Sequence, residues 1–297
     1  MKINDSDIEI RSLAGISFDE IAQAFLEAFS DYDIKLDRES LFAMLKRRGA
    51  RMDLSFAAFH DQRIVSFIIN GIGTFAGSAT AYDTGTGTVK EFRGLGLTDR
   101  ILNHSFDVLE SAGITTYILE VLEHNAPAVR IYTRQGFAIE REFDCYTGEV
   151  AAITGRLSCC VSENLRIERS TVDEIERYAS FMDFMPSWQN SLDSVRRNPD
   201  AFLCLTANVG DVVVGWGVSE TAYGDITLLA VDGAYRRQGV GSRLLLELVS
   251  ASVPDRVKVL NVDDSCKCMK SFVENSGLEL SCRQYEMMKH LGSMFCG

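Results

Sequence analysis

Two stretches of this chain place arginine and glycine where an anion can be gripped: EFRGLGLTDRIL at residues 91 to 102 and YRRQGVGSRLL at 235 to 245. The first offers Arg93, Gly94, Gly96, Leu97 and Thr98, and the second Arg236, Arg237, Gly239, Val240 and Gly241. Glycine lets the main chain approach a bound group closely, and the first-turn amides of a following helix have no intrahelical acceptor, so they point at whatever anion sits there. A diphosphate suits such a loop. The helix terminus contributes about 0.3–1 kcal/mol per exposed charge, and a neighbouring arginine adds to it. For one loop taken alone, a tight strand-to-helix turn that binds nothing is an equal alternative. Gly96 and Gly239 lie 143 residues apart and Gly136 and Gly277 lie 141 apart, so nearly constant a spacing indicates two related halves.

The elements that must carry these loops recur at the same spacing. Each half opens with a short strand, about 7 to 12 and 165 to 170, that leads into a helix started by a capping box, Ser17 with Glu20 and Thr171 with Glu174. Phe18, Ile21, Ala22, Phe25 and Phe29 fall on one helical stripe, as do Val172, Ile175, Ala179 and Met182. A hairpin turning at His60 to Gln62 has a counterpart turning at Asn208 to Asp211. A further strand, about 79 to 88 or 225 to 231, then feeds each glycine loop, which opens a helix. The expected organisation is a first domain over 1–150, a linker over 151–163 rich in small and polar residues, and a second domain over 164–297.

Composition narrows the function classes. With 297 residues, 46% of them apolar, the chain can fill two cores, and a formal net charge of −12 argues against nucleic acid or an anionic membrane as partner. Cationic or amine-bearing substrates would be steered favourably, whereas an anionic ligand needs local cations such as Arg93 and Arg100, or Arg236, Arg237 and Arg243. The start lacks a basic region followed by an apolar one, and no segment holds 18 apolar residues without charge, so a cytoplasmic location is the expectation. The eight cysteines show no paired CxxC spacing, and no metal site is expected; Cys266 and Cys268, two apart on an expected helix, should point to different sides.

A second motif completes the pattern. In EVLEHNAPAVRIYTRQGF, residues 120 to 137, Asn125 precedes a helix bearing Tyr132 seven residues on, with Gly136 placed as a left-handed cap before Phe137. Together with the loops and the element order, this resembles the GNAT superfamily of N-acetyltransferases in two tandem copies covering nearly the whole chain. The resemblance implies an α/β fold with a mixed, splayed sheet of six or seven strands flanked by helices in each copy. It also implies acetyl-CoA held in the splay with its diphosphate on the loop, a primary amine as acceptor, and Asn125 alongside the cofactor. Gly85 and Gly87 in TAYDTGTGTV suit close ligand approach.

In such a family the tyrosine, here Tyr132, protonates the departing thiolate, while main-chain amides of the strand before the loop stabilise the oxyanion. Base candidates are Asp83 on that strand and Glu120 or Glu123 around the next; each is also readable as a structural carboxylate. The turn between the first two helices, with Asp31, Tyr32 and Asp33, is the expected acceptor wall, or else a plain polar loop. The second half departs from the pattern, with Val273 at the tyrosine position and Cys266 at that of Asn125, whereas the first half has Thr98 where the family prefers a small residue. Catalysis is therefore expected in the first half, with the second binding acyl-CoA or serving structure. The alternatives are a non-catalytic acyl-CoA sensor or scaffold, and catalysis in the second half.

Overall fold

The computed structural model describes residues 7–31, 36–157 and 165–292. They form two compact units, the first comprising Met1–Val121, Asn125–Glu140 and Glu286–Gly297, the second Leu122–His124 and Arg141–Tyr285.

In the first unit, β1 (Ile8–Ser12), β2 (Phe56–His60), β3 (Arg63–Phe75) and β4 (Ser78–Thr88) pair antiparallel in sequence order. The next strand, β5 (Thr116–Leu122), runs parallel to β4. The sheet is completed beside β5 by the last residues of β12 (Glu279–His290), those from Glu286 onward. On one face, α1 (Phe18–Ala28) and α2 (Arg38–Arg47) bury Ile21, Phe25, Leu41 and Leu45 against Ala57, Phe59, Phe67 and Ile69. The long helix α3 (Leu97–Ser111) meets the sheet through contacts such as His104 with Phe56, their rings 5.0 Å apart. The helix α4 (Ala126–Arg134) follows β5.

The second unit repeats the plan. Strands β7 (Arg166–Ser170), β8 (Leu203–Val209), β9 (Val212–Glu220) and β10 (Asp225–Val231) pair antiparallel, and β11 (Arg256–Asp263) lies parallel to β10. The strand that completes this sheet is β6 (Ala138–Glu149), antiparallel to β11 from Phe143 to Glu149. Helices α6 (Val172–Glu176) and α7 (Leu192–Arg197) pack on Trp216, Val218 and Ala230, while α8 (Val240–Ser250) and α9 (Lys267–Asn275) bury Leu244, Leu248 and Val273 in a second cluster.

Both capping boxes form as the sequence implies: Ser17 and Thr171 accept from Glu20 and Glu174 amides, and each glutamate reaches back. The units nevertheless depart from the sequence halves. β6 and β12 are equivalent strands at the offset of 141, and each begins in the unit of its own half and ends in the other. The expected linker also differs, since residues 150–157 form α5 (Val150–Leu157), which sends Ile153 and Leu157 into the second unit's core. Small residues permitted that segment to be read as a loop, but one buried apolar face makes it a helix.

Among the described residues no helix is long and apolar enough to cross a membrane.

Candidate active site

Register places a bulge at the same point in both sheets. Between β3 and β4 the pairing passes from Ile69 with Gly85 to Asn70 with Asp83, skipping Thr84, and between β9 and β10 it skips Thr227, exactly one 143-residue offset away. A bulge adds local twist and re-aims the side chains next to it. The parallel pairing of β4 with β5 ends at Tyr82 with Ile118, and that of β10 with β11 is a single pair, Asp225 with Lys258. Past those points the strands part, and each crevice opens toward its glycine loop.

The loops are built alike. Gly96 and Gly239 cap α3 and α8 in left-handed conformation, with φ of 69° and 84° and no side-chain cap, so the first-turn amides are left to another acceptor. A Cβ added at Gly94 or Gly96 would meet nothing within 4 Å, so the main chain there borders open space as a cradle must. In the second loop Arg237 takes the left-handed conformation, φ 61°, that Gly94 takes in the first. A side chain held there costs about 1–2 kcal/mol, and strain of this kind collects at functional sites. Beside it lies a cleft of about 770 Å³ lined by Arg236, Arg237, Gly239, Gly241, Lys267 and Phe272, among others.

The motif arginines are clamps. Arg93 donates from Nε to the Thr88 carbonyl at 3.1 Å and from Nη2 to that of Ala28 at 2.8 Å, and it chelates Asp31 at 2.6 and 2.8 Å. Arg236 repeats this arrangement with the carbonyls of Val231 and Phe181 and with Asp183, 2.6 Å from Nη1. Asp31, expected at the acceptor wall, is thus the partner of a residue expected at the cofactor; the guanidinium holds its carboxyl down at about 2. Tyr32 and Asp33 lie outside the described residues. Two further expected cations are also engaged within the protein, Arg100 by the Ile8 carbonyl at 3.4 Å and Arg243 by Glu247 at 2.8 Å.

At the end of the first crevice, the bulge brings three polar side chains together. Tyr132 Oη donates to Asp83 Oδ2 at 3.2 Å, and Thr86 Oγ1 donates to the same oxygen at 2.6 Å. The Gly85 amide donates to Asp83 Oδ1 at 3.0 Å. Desolvation raises the Asp83 carboxyl above its ordinary value despite these bonds, and burial with the Asp83 charge pushes the Tyr132 hydroxyl well above its own. Phe137 packs edge-on against the Tyr132 ring, centroids 5.7 Å apart. Glu120 sits half-buried on β5, where its charge acts on Tyr82, whose hydroxyl burial already raises.

Behind the trio lies a polar network that the sequence did not single out. Asn70 donates to the Leu54 carbonyl at 2.7 Å and to Ser105 at 3.3 Å, and it accepts from the Tyr117 hydroxyl. Thr86 was equally missed, although its place three residues after Asp83 in DTGT was a usable signal. Asn125 is the N-cap of α4, accepting from the Ala128 amide at 3.3 Å. Thr98 sits inside the first turn of α3, and the cap position belongs to Gly96.

The same positions in the second unit are apolar. Asp83, Thr86 and Tyr132 correspond to Ile226, Leu229 and Val273, and these three line a small cavity of about 40 Å³ with Leu245 and Phe272. Trp188, just before α7, is fully buried. One expectation is overturned here. Cys266 is the N-cap of α9 with non-helical dihedrals, so it does not obey the helical spacing that would separate it from Cys268; the two sulfurs lie 3.4 Å apart. Cys268 Sγ also lies 3.5 Å from Asp183 Oδ1.

With this geometry in hand, comparison with known proteins is informative. The acetyltransferase (GNAT) family profile matches residues 18–137 and 168–265. No curated protein matches the chain in sequence. Among solved structures, the fold is similar to a tandem GNAT protein from the clavulanic acid biosynthesis pathway, with a TM-score of 0.73 at 12% identity, covering 97% of this chain and all of that one. It is also similar to a GCN5-related N-acetyltransferase from Sphaerobacter thermophilus, with a TM-score of 0.69 at 14% identity over 98% and 97% of the two chains.

Proposed function

Because the chain belongs to the acetyltransferase (GNAT) family, we propose that it is an acetyl-CoA-dependent N-acetyltransferase acting on a primary amine, with its chemistry in the first unit and an acyl-CoA-binding second unit. The observation that carries this division is the replacement of the Asp83, Thr86 and Tyr132 trio as a set by Ile226, Leu229 and Val273. Both loops have a left-handed glycine and an uncapped first turn; the first borders open space at Gly94 and Gly96 and the second lines the cleft of about 770 Å³, features that suit a diphosphate. Bound acetyl-CoA would supply the activated acyl group and a thiolate leaving group.

Asp83, its carboxyl raised by desolvation, accepts the proton that the acceptor ammonium must lose before its nitrogen can attack. Tyr132 stays protonated over the physiological range and donates its hydroxyl proton to the leaving sulfur. Their hydrogen bond lets Asp83 return the proton it collected to the tyrosine oxygen, while the second proton, shed by the nitrogen as the amide forms, passes to water, so the pair ends the cycle as it began. Thr86 and the Gly85 amide hold the carboxylate in place for this exchange. Glu120 is the second base candidate, reaching the acceptor through water.

The test is release of free CoA thiol from acetyl-CoA against a panel of primary amines. Tyr132→Phe should lower kcat by roughly 10²–10⁴, the range for loss of a general acid. If acetyl-CoA binds calorimetrically yet no amine elicits thiol release, and the tyrosine variant is indistinguishable from the parent, the protein is an acyl-CoA-binding sensor instead.

A further inference from the structure

We infer that the two units hold acyl-CoA with unequal affinity, the second tightly and the first weakly, because Asp99 latches the start of α3 to the end of α4 in the first. This rests on the acyl-CoA reading above. Asp99 is the third residue of α3, where an acidic side chain satisfies the positive helix terminus from within the protein and so competes with an incoming diphosphate. Its Oδ1 accepts from Gln135 Nε2 at 2.7 Å and its Oδ2 pairs with Arg134 at 2.5 Å. The end of α4 is thereby tied to the start of α3, at positions whose counterparts line the second unit's cleft.

The second unit supplies an internal control. At the same offsets the three latch residues become Ser242, Asn275 and Ser276, types that cannot form the ion pair, and all three line the open cleft of about 770 Å³. Thr98 likewise becomes Gly241, another lining residue. A diphosphate entering the first unit must displace Asp99 from Arg134, after which the arginine becomes a phosphate partner. One entering the second unit breaks no bond of this kind and finds Arg237 and Lys267 in the wall. The Arg134 side chain is 60% accessible and that of Asp99 23%, so the latch is partly screened and opens readily enough for turnover.

Titration of acetyl-CoA calorimetrically into the full chain tests this. The parent protein should show one tight and one weaker site, and in Asp99→Ser the weaker site should tighten roughly three- to tenfold, the scale of one partly exposed ion pair and one nearby like charge. The tight site should stay unchanged, and KM for acetyl-CoA should fall by the same factor. Transplanting the latch with Ser242→Asp and Asn275→Arg should weaken the tight site, which checks the assignment even if the first variant folds poorly. Unchanged or weaker binding at the first site in Asp99→Ser, with the tight site intact, overturns the latch alone. Absence of binding heat in the parent protein overturns the acyl-CoA reading and the latch with it.

Discussion

Asp83, the base of the proposed reaction, is held at the expense of its own solvation. Its carboxyl is raised because desolvation outweighs the bonds from Thr86, Tyr132 and Gly85. A carboxyl with a raised folded-state value contributes stability only below its unfolded value and loses that contribution as pH rises through the folded one, so at neutral pH its ionised form weighs against the fold. The proposed reaction needs that same ionised form, so the rate should climb with pH through the raised value. Asp83→Asn should therefore lower kcat by roughly 10²–10⁴ and abolish the acid limb of the pH profile, while leaving thermal stability at neutral pH unchanged or higher. A variant that keeps the limb removes Asp83 as base and turns attention to Glu120. The tyrosine was legible within its motif, and the carboxylate as one of three base candidates on and around the neighbouring strands. Their 3.2 Å approach was not, because they stand 49 positions apart and meet only through β4, its bulge and α4.

At the scale of elements, the glycine loop is the best-encoded part of the molecule. Its left-handed caps, its uncapped helix start and the equivalent clamps of Arg93 and Arg236 recur in both units. The arginines looked like phosphate ligands in the sequence, whereas in the structure they fix the loop to the end of the first helical region. A positive side chain does not disclose its partner until Asp31 or Asp183 is folded beside it. Arg237 is the informative exception, since it holds a conformation that glycine would adopt without strain. Arg237→Gly should leave stability level or raise it by up to about 1 kcal/mol, as relief of left-handed strain offsets the added chain entropy of glycine. The same variant should bind acetyl-CoA more weakly, with a shallower dependence on salt, if the strain is kept for the sake of its charge. Denaturant unfolding and calorimetry on one preparation read both effects.

Along the whole chain, the last strand of each half is divided between the two units. Each half sends its last strand, β6 or β12, partly into the other unit, so the first unit's sheet is finished by residues from Glu286 onward and the second's by residues from Arg141 onward. Fragments 1–150 and 151–297 should each fail to fold cooperatively when expressed alone and should regain near-native circular dichroism when co-expressed, because each lacks an edge-completing strand that the other carries. Two independently stable fragments would contradict the exchange. By itself the sequence determined the duplication, the helix starts, the hairpins and the loop conformation, since these follow from hydrophobic period, capping chemistry and glycine placement within a few residues of one another. Tertiary structure alone decided that Tyr132 meets Asp83, that Arg93 serves Asp31, that Asp99 ties α3 to α4 where the second unit's counterparts line a cleft, and which strand completes which sheet. Those outcomes depend on contacts between residues tens to hundreds of positions apart, and the local pattern of a chain carries no record of which distant partner its backbone will bring near.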